Sequence, residues 1–104
     1  ANERILRSLS LCDNPPRLLN LTASEILSVR KVATRLGELM KREVQFSGTE
    51  ADTAWLSNPA QSIAAFGPLT VELETLLRWT AHWTDSEGRS LGKPTHFEVR
   101  DGKY

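Results

Sequence analysis

The chain has 104 residues, 39% hydrophobic, 7% aromatic and 25% charged, which is room for one domain with a modest core and not for two. Thirteen basic side chains balance thirteen acidic ones, so the basic excess with which a nucleic-acid binder neutralises phosphates is missing. One cysteine, Cys12, excludes an internal disulfide or a thiolate cluster and suits a reducing cytoplasm, and no apolar run approaches the roughly 20 residues that cross a bilayer.

Ile5, Leu9 and Cys12 recur at helical spacing, with Arg4, Arg7 and Ser8 between them. A helix under way from the first residues leads us to expect the C-terminal piece of a larger protein; processing is the alternative. Asp13-Asn14-Pro15-Pro16 breaks the helix, and Arg17 to Thr22 reads as a short strand. Ser28 is placed as an N-cap for a helix in which Val29, Val32, Ala33, Leu36, Leu39 and Met40 share one face. Gly37 weakens that helix and permits close backbone packing. Glu43-Val44-Gln45-Phe46-Ser47 alternates polar and apolar residues, as a half-buried strand does. Strand, amphipathic helix and strand together predict a βαβ unit.

After a polar loop, Thr53 to Leu56 reads as a short strand or extended segment. Asn58-Pro59-Ala60-Gln61 signals a helix start, and Gly67-Pro68 ends that helix. Thr70 is placed to cap a longer helix with Glu72 and Glu74 in its first turns. Leu73, Leu76, Leu77, Thr80 and Trp83 share one side of it, widened by Trp79, and the two tryptophans are expected in the core. Thr95 to Val99 alternates like a terminal strand or extended arm. The fold class expected is therefore α/β (α+β): a single unit over residues 1–104, a small βαβ-containing subdomain with two further helices and a C-terminal arm.

The six glycines, at 37, 48, 67, 88, 92 and 102, form neither a dinucleotide-binding turn nor a P-loop. His82 and His96 have no carboxylate or cysteine pattern around them that suggests a metal, and no serine-nucleophile motif is present. Cys12 reads as a small buried hydrophobe. Glu72 and Glu74, two apart on a helix, face different directions and complement its dipole rather than forming an acid–base pair. The Arg30, Lys31 and Arg35 face reads as a solvated helix surface. No constellation supports self-contained catalysis.

The order of the segments resembles a known family. Arg17 to Thr22, then Glu25-Ile26-Leu27-Ser28-Val29-Arg30 and the helix to Met40, then Glu43 to Phe46, are similar to the C-terminal region of extended short-chain dehydrogenases, the NAD(P)-dependent epimerase/dehydratase enzymes. Leu56 to Gly67 resembles that family's short helix ending in Leu-Gly, and Val71 to Trp83 its final helix. The likeness runs from the first helix to about Trp83.

The resemblance implies the smaller, substrate-side subdomain of such an enzyme. The family holds its cofactor on a Gly-rich turn of an N-terminal Rossmann domain and works with a tyrosine and a lysine four residues apart. Neither feature is present here, where Tyr104 is the single tyrosine. This chain is thus expected to bind no cofactor itself, with NAD or NADP belonging to the parent enzyme. Many nucleotide-sugar members carry an arginine at a position that falls near Ser47-Gly48-Thr49, and its absence here points away from a nucleotide-diphosphate sugar. Ser47, Gly48, Thr49, Ser57, Asn58 and His96 are the candidate substrate-side residues, and no catalytic, cofactor or metal residue is assigned. The expected partners are the missing Rossmann domain, a small-molecule substrate and a second copy through exposed apolar surface, with neither nucleic acid nor membrane. A small non-catalytic interaction module is the alternative.

Overall fold

Ser28 starts the central helix as its position predicts: its Oγ accepts a hydrogen bond from the Lys31 amide at 3.4 Å, one of the amides that a helix leaves without an internal partner. The computed structural model describes residues 1–54 and 56–93 of the chain. Four helices form: α1 (Asn2–Ser8), continued by a 3-10 turn over Leu9–Leu11, α2 (Val29–Met40), α3 (Ala60–Phe66) and α4 (Leu73–Asp85). None is long and apolar enough to cross a membrane.

Helices α2 and α4 make the main packing contact. Gly37 of α2 and Leu77 and Ala81 of α4 are buried, and Val32, Ala33, Leu36 and Leu39 are half-buried. Arg35 pairs with Glu74 near the start of α4, and Arg42, just past α2, pairs with Asp85 at its end at 3.6 Å. Two ion pairs in the same order set the two helices running in the same direction. Such neighbours need a long connection, and α3 lies within it.

The expected βαβ unit does not form, and the α/β (α+β) assignment is corrected: among the described residues the architecture is helical, with no strand. An extended segment becomes a strand only by pairing its backbone groups with a neighbour. Residues 43–47 instead fold back over α2. Val44 lies over Gly37, and Phe46, two residues on, lies beneath the Arg30 guanidinium, 4.1 Å from its ring centre. The period-two alternation is therefore real, but the half-buried side faces a helix. Residues 17–22 leave Leu18 92% exposed, and Asn20 Nδ2 donates to the Asn58 carbonyl at 3.3 Å. Thr53, Ala54 and Leu56 form no strand either. The expected arm from Thr95 to Val99, with His96, lies outside the described residues.

Helix α1 presents a different side from the one its apolar spacing suggests. Ile5, Leu6 and Leu9 are exposed, while Arg4 turns inward and is 7% exposed. Its Nη2 donates to the Gly67 carbonyl at 2.6 Å, and the Arg7 guanidinium lies 5.2 Å from the Phe66 ring centre. Both arginines thus meet the end of α3, where carbonyls lack helical partners and favour cations; Arg4 is buried there, its Nη1 without a hydrogen-bond partner among the described residues, while Arg7 stays exposed. Cys12, expected buried, is exposed.

Helix α3 begins one residue later than the Asn-Pro signal suggests, with Asn58 Oδ1 accepting from the Ala60 amide at 3.0 Å, and ends at Gly67, whose φ is +78°. Helix α4 begins at Leu73 with Glu72 as N-cap, so Thr70 is not its cap. Its buried side is Leu77 and Ala81. Leu76, Trp79 and Trp83 point outward, 50%, 61% and 58% exposed, which corrects their expected place in the core.

The accessible surface is 9588 Å², against about 5,800 Å² for a folded monomer of this mass. The radius of gyration is 16.6 Å, against about 13 Å for a compact domain of this length. The fold is open, with apolar surface left uncovered. The close approach at Gly37 gives a direct test. A Cβ at Gly37 would overlap Val44 Cγ2 and lie 2.8 Å from the Arg42 carbonyl oxygen. Gly37→Ala is expected to cost about 1–3 kcal/mol by overpacking, offset by up to about 1 kcal/mol of helix propensity, and is read as a lower urea midpoint; a midpoint raised by the propensity gain alone refutes the seating of residues 42–44 on α2.

Candidate functional site

The loop of residues 23–28, helix α2, the end of α3 and the start of α4 enclose a cleft of about 1090 Å³. Its walls are apolar, with Ile26, Leu27, Ile63, Leu69 and Val71 among them, and Lys31, Arg35, Glu72 and Glu74 bring charge to it. An apolar body with a few polar groups is the usual make-up of a ligand pocket, and the volume is close to the range such pockets span.

Arg35 organises the charged edge. Its Nε and Nη2 donate to the two carboxylate oxygens of Glu74 at 3.0 and 2.6 Å, and its Nη1 donates to Glu38 at 2.7 Å. Arg78 Nε donates to the same Glu74 at 3.0 Å. The hydrogen bonds to Glu74 and then Glu38 raise the Arg35 pKa above its already high ordinary value. The bond from Arg35 holds the Glu74 carboxyl below the ordinary glutamate range, against the opposing effect of its desolvation. A carboxylate held ionised in this way is a poor proton donor at neutral pH. Arg35, with every guanidinium nitrogen bonded to a carboxylate, presents no free fork to a phosphate. The network therefore fixes the walls of the cleft, and Lys31 is the cation at its edge that forms no ion pair among the described residues. What the cleft offers a ligand is shape and apolar surface.

The candidate residues read from the chain lie elsewhere, in two separate segments. Ser47, Gly48 and Thr49 form an exposed turn, with Gly48 at φ +82°. Arg30 pins it from both sides, stacking on Phe46 and donating from Nε to Glu50 at 2.6 Å. Ser57 and Asn58 lie in an exposed irregular segment before α3, where Asn58 is engaged by Asn20 and by the start of α3. None of these five residues lines the cleft between α2 and α4, nor the cleft beside Cys12 and Arg17, nor the shallow one beside Gly37 and Val44. His96 lies outside the described residues. The Arg35–Glu74 pair was missed because its members are 39 residues apart and no local pattern announces them. Leu69 and Val71 lie before the first residue of α4 and line the cleft, although the resemblance places Val71 in the final helix.

Helix α2 starts at Ser28, whose hydroxyl accepts from the Lys31 amide, and α4 starts at the anionic Glu72. No group of His, Cys, Asp or Glu among the described residues is arranged to hold a metal ion, and His82 is exposed on α4.

The Arg35–Glu74 network gives a pH test. Because the Glu74 pKa is depressed in the folded chain, the stability it lends is present above the unfolded glutamate value of about 4.3 and is lost as pH falls through the lower folded value. Thermal melts from neutral to acid pH are expected to fall less steeply for Glu74→Gln than for the parent chain, and identical slopes refute the clasp.

No family model matches the chain, and no curated protein or solved structure is significantly similar to it.

Proposed function

We propose that this chain is the substrate-side subdomain of an NAD(P)-dependent epimerase/dehydratase-like enzyme of the reducing cytoplasm and is not catalytic by itself. The observation that carries the reading is the open core. Leu77 and Ala81 are the buried apolar side chains among the described residues, while an apolar-walled cleft stands open beside them. A unit that buries so little of its own apolar surface is suited to bury it against a second unit. In this reading a nucleotide-binding half covers the cleft through Ile26, Leu27, Leu69 and Val71 and supplies the hydride chemistry with its own NAD or NADP. This chain closes over a small-molecule substrate and excludes water. The Ser47–Thr49 turn, held by Arg30, offers a hydroxyl, a glycine backbone and a second hydroxyl to that substrate, and the Ser57–Asn58 segment offers a further polar edge.

The second reading, a non-catalytic interaction module, draws on the exposed Leu76, Trp79 and Trp83 side of α4. Joined to a nucleotide-binding half, a substrate subdomain is expected to respond to Thr49→Val with a raised KM and little change in kcat. Alone, it is expected to give no saturable quenching of its tryptophans by NADH or NADPH. A KM that does not move, or nicotinamide binding by the isolated chain, refutes the first reading.

A further inference from the structure

Helix α4 has a second apolar side that neither the α2 packing nor the cleft accounts for in full. Glu72, Leu76, Trp79 and Trp83, spaced by four, three and four residues, lie on one line along the helix. Trp79 and Trp83 are both more than half exposed. Trp83 is nonetheless held in place: its ring lies against Gly88, where a Cβ would overlap it, and its Nε1 donates to the Arg89 carbonyl at 3.3 Å. The turn that follows α4 therefore sets Arg89 beside the last tryptophan, while Glu72 stands at the opposite end of the line. Neither Glu72 nor Arg89 forms an ion pair among the described residues.

We infer that this side of α4 pairs with the same side of a second copy, antiparallel about a two-fold axis near Trp79. An isologous contact must be self-complementary, and this line is: reversed against itself, it sets Leu76 opposite Trp83 of the other copy and Glu72 opposite the turn that carries Arg89. The zero net charge of the chain adds no overall repulsion between copies. The two indoles and Leu76 supply roughly 400 Å² of apolar area, about half of the ~800 Å² per partner in a stable interface. The flanking turn and Glu72 add to it, so the dimer is concentration-dependent. The line shares Glu72 and Leu76 with the rim of the cleft, whereas Trp79 and Trp83 lie outside it, so Trp79→Ser tests this contact without altering the cleft.

Sedimentation equilibrium of the complete chain over a wide concentration range tests it. The expected result is a reversible monomer–dimer equilibrium that weakens at least about tenfold in Trp79→Ser, as truncating a central aromatic anchor does. Glu72→Arg and Arg89→Glu each weaken the dimer, and the Glu72→Arg/Arg89→Glu double variant restores it. Both charge swaps are on exposed positions, so they keep the test informative should Trp79→Ser fail to fold. A chain that stays monomeric throughout overturns the inference and leaves this side of α4 to a different partner. Open-ended association, or a double variant no tighter than the single ones, overturns the antiparallel two-fold arrangement.

Discussion

The clasp between α2 and α4 carries the rest of the structure. Its buried apolar side chains are few, Leu77 and Ala81 of α4, and its two ends are tied by Arg35–Glu74 and Arg42–Asp85. The charged pairs are solvent-accessible, so their energetic weight is screened. Their effect is geometric. A bidentate guanidinium–carboxylate pair fixes both distance and orientation, and in doing so it sets α4 against α2 and the cleft walls between them. Arg78 joins the same carboxylate and Glu38 the same guanidinium, which ties the network along each helix as well as across the gap.

The same clasp explains where the cationic face of α2 goes. Arg30 and Arg35 are exposed on a helical wheel, yet each is engaged: Arg30 with Phe46 and Glu50, Arg35 with Glu74 and Glu38. Arg4 and Arg7 are likewise turned onto the end of α3. Arginine suits this work because its planar head pairs and stacks while its stem packs as a hydrocarbon. The fold uses arginines where a larger domain would use buried aliphatic residues. This leaves Ile5, Leu6, Leu9, Trp79 and Trp83 on the outside. Apolar side chains left outside in this way are fitted for burial against another surface, and both functional readings rest on that.

Short-range signals in the chain were legible where the physics is local. The Ser28 cap, the helix from Val29 to Met40, the stop at Gly67-Pro68 and the close approach at Gly37 follow from hydrogen-bonding capacity, spacing and side-chain size within a few residues of each position. The alternation of Val44 and Phe46 predicts a half-buried strand, and no strand forms there. What the segment packs against is not a local property. A strand needs a neighbour's backbone, and here the neighbour is the face of α2. For the same reason the apolar stripe of α4 could be traced from spacing, while the burial of Leu77 and Ala81 and the exposure of Trp79 and Trp83 depend on where α2 lies.

The candidate site divides along the same line. The polar segments at Ser47–Thr49 and Ser57–Asn58 are exposed, and Arg30 and Asn20 bond beside them from 20 and 38 residues away along the chain. The cleft with its Arg35–Glu74 edge draws on residues 23–77 and has no signature in any one stretch. Composition settled that thirteen cations and thirteen anions would be available for pairing. Long-range ion pairs and helix contacts settled which of them meet, because only packing brings residues 39 positions apart within hydrogen-bond reach.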